Sequence, residues 1–253
     1  MPPVVTLLTD FGTSDSYVAE MKAVLLGIVP HATLVDVTHD VAPGDVRAAM
    51  YLLNRSWRRF PPRTVHLAVV DPGVGTARRA LAATAEDHAF VAPDNGLLTP
   101  VLDGARIVEV RVPASAAATF HGRDVFAPAA ARLANGEPLD GIGRLVIDPL
   151  RLHLPTPRRD GESLVGEVVY VDRFGTLVTN VPAAGLPSVE SVLVAGHAAA
   201  WGRTFGDVPP GALVAYAGSG GTVEVAVRDG SAGDTLDIGV GGEVRLTTAS
   251  RER

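Results

Sequence analysis

The sequence predicts an α/β protein in which a mainly parallel N-terminal sheet, flanked by helices, is followed by a second, smaller antiparallel β domain. Three observations carry that expectation. Apolar runs of strand length alternate with helical periodicity at first; residues 149–161 then break into proline and charge; beyond them the helical period vanishes in favour of short runs separated by Gly, Pro and Ser.

Residues 4–9 read as a buried strand, and DFGTSD turns the chain into a helix that Ser14 or Asp15 would cap. Val18, Met21, Leu25 and Ile28 recur at helical spacing until Pro30 stops them. TLVDVTHD repeats the strand, and Val46, Met50, Leu53 and Trp57 mark one face of a second helix that ends in basic residues suited to its C-terminus. TVHLAVVD is a third strand, and a further helix is expected over residues 125–133. This places an α/β domain at 1–150 and a linker at 151–160, since PLRLHLPTPRRDG holds three prolines and four basic residues. LVGEVVYVD, SVLVAG, ALVAYAG, TVEVAV and EVRLTT then predict a barrel-like β domain over 161–253.

Composition excludes several classes of function. A net charge of -6, with scattered basic residues, argues against nucleic acid as a partner. The absence of cysteine removes disulfides and thiolate chemistry. No apolar run approaches the roughly 20 residues that span a bilayer, and the N-terminus lacks a signal-peptide pattern, so a cytoplasmic address without membrane partners is expected.

Three apolar runs end in an aspartate followed by turn chemistry: Asp10 in TLLTDFG, Asp71 in LAVVDPGVG and Asp94 in FVAPDNG. In open α/β sheets ligands bind outside the carboxyl ends of the strands, so three acids delivered to one edge suggest a site. Arg78 follows Asp71 by seven residues across a tight excursion, and His121 follows Phe120; carboxylate, guanidinium and imidazole are expected to converge there. The plainer alternatives are a turn-capping Asp with a surface Arg, a hydrogen-bonded structural His, and an Asx turn at Asp94-Asn95-Gly96. Asp10, His39, Asp40, Asp71, Asp94 and His121 also supply hard ligands for a metal hydrolase, although no HExxH or HxH pair is present. DFG and HGRD lack the order and context of kinase signatures, and the glycine clusters at Gly218 and Gly239 lack the following helix of a phosphate cradle.

TDFGTSDSYVAEMK, VDPGVGTARR, APDNGLLT, FHGRDVFAPAAA and DRFGTLVTN, in this order, resemble the S-adenosyl-L-methionine (SAM) hydroxide adenosyltransferases, relatives of the SAM-dependent fluorinases and chlorinases. The resemblance implies a homotrimer that binds SAM between the N-terminal domain of one subunit and the C-terminal domain of the next. The implied reaction is displacement of L-methionine from ribose C5′, by water-derived hydroxide to give adenosine or by halide to give a 5′-halo-5′-deoxyadenosine. No cofactor or metal beyond SAM, the substrate, is implied.

This chain resembles the hydrolytic branch in Asp71, Arg78 and His121; the fluorinases carry Tyr where it has Asp71 and Ser where it has Gly122. A halide beside a carboxylate is repelled, whereas a water needs an acceptor for its proton and a cation to favour hydroxide. By resemblance, Asp71 and His121 orient and deprotonate water while Arg78 stabilises hydroxide character. Asp10 matches the acid that accepts the ribose hydroxyls, and Phe120 and Phe174 match the adenine surroundings. Asp172 matches the group that meets the methionine ammonium, and Ser219, Glu224 and the Val227 backbone match positions around the substrate. Thr176 stands where an asparagine is usual, and Gly218 and Arg228 are further departures. The readings left open are a halogenase, a SAM- or adenosine-binding protein without turnover, and a divalent-metal hydrolase.

Overall fold

The computed structural model describes residues 2–186 and 188–248. The chain divides into two compact units, Met1–Leu152 and His153–Arg253.

The first unit is built on seven strands, β1 (Val4–Thr9), β2 (Thr33–Thr38), β3 (Val65–Val69), β4 (Ala80–Ala85), β5 (His88–Pro93), β6 (Arg106–Val110) and β7 (Gly143–Leu145), in the order β2-β1-β3-β5-β4-β6-β7. Alternation sends Val5, Leu7, Val65, Leu67 and Val69 to one face, and Leu8, Ala68 and Val70 to the other. Helices α1 (Tyr17–Ile28) and α3 (Ala127–Ala134) cover the first face through Met21, Leu25 and Ala130; α2 (Val46–Ser56) covers the second through Ala49 and Leu53.

The sheet is mixed rather than mainly parallel. β2, β1, β3 and β5 run parallel, whereas β4, β6 and β7 join by antiparallel pairings. The reversal comes from the β4–β5 hairpin, whose two-residue loop puts Glu86 at φ 46° and Asp87 at φ 61°. A primed hairpin turn requires such values, and Glu-Asp announces it far less clearly than Asn-Gly does.

Local details also differ from the expectation. Helix α1 begins after Ser16, whose hydroxyl donates to Glu20 Oε1 at 2.7 Å instead of capping. Ile28 is 40% exposed, and Val29 takes the buried place beyond the helix. At α2 the cap is Asp45, which accepts from Ala48 N–H at 2.9 Å. The helix expected over residues 125–133 opens with a π-helical turn at Gly122–Phe126 and continues as α3.

The second unit holds β8 (Arg158–Asp160), β9 (Ser163–Val171), β10 (Leu177–Pro182), β11 (Val189–Val194), β12 (His197–Trp201), β13 (Leu213–Ala217), β14 (Thr222–Val227) and β15 (Glu243–Thr248). Because β10 pairs with both β14 and β9, seven strands close into a barrel around Val168, Val181, Val192, Ala215, Val225 and Leu246, and β8 adds to β9 outside the ring. Closure removes sheet edges. The barrel is not wholly antiparallel, for β12 and β13 pair in parallel. β8 also falls inside the stretch read as linker, its arginines extended against Leu164 and Val165.

Candidate active site

Asp10 and Asp71 leave the sheet side by side. β1 and β3 pair with Thr9 opposite Val69, so both acids emerge at the same carboxyl edge. Asp10 Oδ2 accepts from Gly44 N–H at 2.8 Å. The loop after β3 then folds on itself: Val74 N–H donates to Asp71 O and Thr76 N–H to Gly73 O, which returns Arg78 to Asp71. Arg78 Nε donates to both carboxylate oxygens at 2.9 and 3.0 Å, and Nη2 makes a further short contact with Oδ2.

His121 completes the cluster, with Nδ1 2.9 Å from Arg78 Nη2. A guanidinium only donates, so Nδ1 accepts and the neutral ring carries its proton on Nε2. Burial, then the charge of Arg78, hold His121 below the usual imidazole range, against the opposing pull of Asp71 and Asp124. The Arg78 and Asp71 side chains are 9% and 5% exposed. Arg78 lies over the buried Phe126 ring, 5.0 Å from its centroid, a cation–π placement. Its Nη1 is buried with no hydrogen-bond partner among the described residues. An unsatisfied buried donor costs on the order of 1–3 kcal/mol, more when charged, so this N–H is poised for an acceptor.

Phe120 is half-buried and packs edge-on against Phe11 and Tyr17, with Arg123 above its ring. Gly122 fits beneath: a Cβ there would lie 3.2 Å from Met21, Phe11 and Phe120.

Asp94 takes no part in this cluster. Its carboxylate accepts from Arg79 Nε at 2.7 Å and from Leu150 N–H at 2.8 Å, and Asn95 Oδ1 accepts from Leu97 N–H in an Asx turn. His39 Nδ1 bonds the Thr9 hydroxyl, and Asp40 is exposed. Among the described residues no three His, Asp or Glu side chains gather as a metal-ligand set.

In the second unit Asp172 Oδ1 accepts from both Phe174 and Thr176 N–H at 2.9 Å and so ties the β9–β10 turn. Phe174, at the tip, is 74% exposed; Thr176 is buried. Glu224 is buried and pairs across the strands with Tyr216, whose hydroxyl bonds Glu224 and Thr176. Burial first, then the charges of Glu224 and Asp172, push the Tyr216 phenol well up. Ser219 lies exposed in the β13–β14 turn, and Val227 belongs to the barrel core, its carbonyl accepting from Gly230 N–H. A side chain at Gly218 would run into the Glu224 carboxyl, so asparagine there requires the Glu224 side chain to move.

Comparison with known families decides the affiliation. The N-terminal domain profile of the SAM hydroxide adenosyltransferases matches residues 5–143, and the C-terminal domain profile matches residues 166–245. The chain belongs to the SAM hydroxide adenosyltransferase family.

A protein of Salinispora arenicola (strain CNS-205) named (R)-S-adenosyl-L-methionine hydrolase is 44% identical over 97% of this chain and 98% of its own length. A solved structure of an uncharacterized conserved protein from Thermotoga maritima superposes with a TM-score of 0.88 at 39% identity, covering 96% of this chain and 99% of that one. A fluorinase of Actinoplanes sp. (strain N902-109) is further off, 32% identical over 71% of this chain and 72% of its own. Within this family member the structure brings together Asp71, Arg78 and His121, with Asp10 on the adjacent strand, and separately Asp172, Thr176 and Glu224. The sequence reading missed Tyr216, Phe126 and Asp124. Asp124 and Phe126 stood in the FHGRDVFAPAAA motif without being singled out, whereas Tyr216 lay in a strand-like run with no signal of its own.

Among the described residues no helix is long and apolar enough to cross a membrane.

Proposed function

We propose that this protein hydrolyses SAM to adenosine and L-methionine, the oxygen of water displacing the sulfonium at C5′ with loss of one proton. The observation that carries the reading is the Arg78 N–H buried without a partner beside a carboxylate and a neutral imidazole. A donor of that kind stabilises developing hydroxide, an effect worth about 2.7–4 kcal/mol for one donor in comparable sites. Holding the oxygen in line with the C5′–S bond contributes up to roughly 7–11 kcal/mol.

Asp71 accepts the proton of the attacking water. His121, its Nδ1 committed to Arg78, offers Nε2–H as a donor that orients the oxygen, and so acts as something other than a base. Asp10 holds the ribose hydroxyls; Phe120 and Phe174 bound the adenine; Asp172 meets the ammonium; Thr176, Ser219, Glu224 and the Val227 backbone line the remainder. The protein works as a cytoplasmic homotrimer, each site shared between neighbouring subunits, with no metal or other cofactor.

The name of the Salinispora arenicola relative, (R)-S-adenosyl-L-methionine hydrolase, supports the R epimer as the sulfonium consumed. The test is incubation of chelator-treated protein with each sulfonium epimer in oxygen-18 water, with and without chloride and fluoride. Labelled adenosine and methionine from the R epimer, independent of halide, are expected. A halogenated nucleoside overturns the nucleophile, turnover of the S epimer alone overturns the stereochemistry, and intact SAM overturns catalysis. Light scattering at the mass of a monomer defeats the trimer.

A further inference from the structure

The chain from Phe120 into α3 begins irregularly. Residues Gly122–Phe126 form a π-helical turn, a feature often found at functional sites. Asp124 lies within that turn and reaches backward: its Oδ2 accepts from Ala117 N–H at 2.8 Å. Arg123 braces the carboxylate, Nε to Oδ1 at 2.7 Å and Nη2 to Oδ2 at 3.1 Å, while its Nη1 donates to Glu20 Oε2 on α1 at 2.8 Å. Ala117 O in turn accepts from Phe120 N–H, so residues 117–124 are closed into a loop with His121 at its centre.

The other side of that loop seats the Asp71–Arg78 excursion. Gly75, at φ 77°, lies so close to Ala118 that a Cβ would stand 2.6 Å from the Ala118 carbonyl oxygen. A side chain there is strained by the backbone conformation and forces the Ala118 contact to shift. Ala117 and Ala118 are therefore a joint: one residue is held by Asp124, and the next receives the middle of the loop that carries Asp71 and Arg78.

We infer that Asp124 is a positioning residue, which through Ala117 and Ala118 fixes the Asp71–Arg78 pair in register with His121. The inference rests on the hydrolase reading above. Loss of the latch moves groups that touch the attacking oxygen and leaves the ribose acid Asp10 where it is, so turnover suffers more than binding.

The experiment is steady-state kinetics with SAM, together with thermal midpoints, on Asp124→Ala, Asp124→Asn and Gly75→Ala. Asp124→Ala is expected to lower kcat about 10- to 100-fold with KM changed less than about twofold. Asp124→Asn, whose amide oxygen still accepts from Ala117 N–H, recovers most of that loss. Both variants move the acid limb of the kcat profile to lower pH, because the carboxylate that supports His121 protonation is gone. A merely structural role lowers the thermal midpoint without a kcat-selective loss that Asp124→Asn recovers. If Asp124→Ala does not fold, Gly75→Ala presses on the same joint from the other side and is expected to show the same kcat-dominated loss. Wild-type kcat in Asp124→Ala, no recovery in Asp124→Asn, or a loss confined to KM overturns the positioning role. SAM left intact by the wild-type protein defeats the hydrolase reading instead, which separates the two failures.

Discussion

His121 and His66 are both buried imidazoles in the first unit, His66 on β3 and His121 in the segment that leads into α3, where it meets the Asp71–Arg78 pair beyond the carboxyl end of β3, and their surroundings set them to different work. His66, 1% exposed, bonds the Thr6 hydroxyl through Nδ1 at 2.8 Å and His88 Nδ1 through Nε2 at 3.1 Å, with its ring stacked on Phe90. Burial, aided by His88, pushes it down to about 3. His121 is held neutral by burial too, but its partner is a guanidinium locked to a carboxylate. Among the described residues each imidazole has a buried unpartnered donor near it, Trp57 Nε1 beside His66 and His88, and Arg78 Nη1 beside His121, while His39 Nε2 is a further buried atom without a hydrogen-bond partner. The indole is neutral and the guanidinium charged, and the charged donor costs more to leave unpaired. A buried imidazole is therefore ordinary core, whereas a buried ion pair holding back one N–H points to a ligand.

The largest expected effect breaks the charged end. Arg78→Ala should lower kcat roughly 100- to 1,000-fold. Stranding the Asp71 carboxylate should also destabilise the fold by about 3–5 kcal/mol. Arg78→Lys keeps the charge and loses the fork, so kinetics of that variant isolate chemistry from folding; near-wild-type kcat would refute the role of the guanidinium.

The next effect belongs to the neutral end. Because the folded His66 titrates near 3 and an unfolded histidine near 6.5, the unfolded state binds the extra proton between those values. Stability is thus fully present above about pH 6.5 and is lost as pH falls toward 3, with a slope approaching about 1.4 kcal/mol per pH unit. Denaturant unfolding at stepped pH measures it. His66→Gln should flatten the slope while kcat at neutral pH stays put, and an unchanged slope would show that the proton goes elsewhere.

The smallest effect sharpens the contrast at a single ring. His121→Gln retains a donor and an acceptor, so a loss in kcat of about tenfold is expected, with stability within about 0.5 kcal/mol. The acid limb of the rate profile should change position once the imidazole no longer contributes to it. An unmoved limb would assign it wholly to another group.

The first three strands and two helices were legible because their periods are local: Met21 and Leu25, or Met50 and Leu53, repeat at helical spacing whatever surrounds them. What escaped was decided at a distance. The antiparallel half of the sheet hangs on a hairpin turned by Glu86 and Asp87, which lack the Gly or Asn that marks such turns. Barrel closure depends on β10 meeting both β9 and β14, which no single segment encodes.

The site was half legible for a related reason. Asp71, Arg78 and His121 were readable as a group, but nothing local separates Arg78 from Arg79. Successive residues in extended chain point to opposite sides, so one arginine serves Asp71 and its neighbour serves Asp94. That divergence turned one of three candidate acids into a structural anchor.

The place of β15 in the barrel bears on how the protein is made. It lies between β11 and β9, pairing Thr247 with Ser163 and Glu243 with Glu167. A ribosome delivers β9 first and β15 last, at about 5–20 residues per second, which leaves an interval on the order of ten seconds in which both neighbours wait with open edges. The nascent barrel spends that time as an unfinished sheet, the state most open to mispairing with another chain, so holdase protection during translation should matter more to yield than the stability of the finished ring.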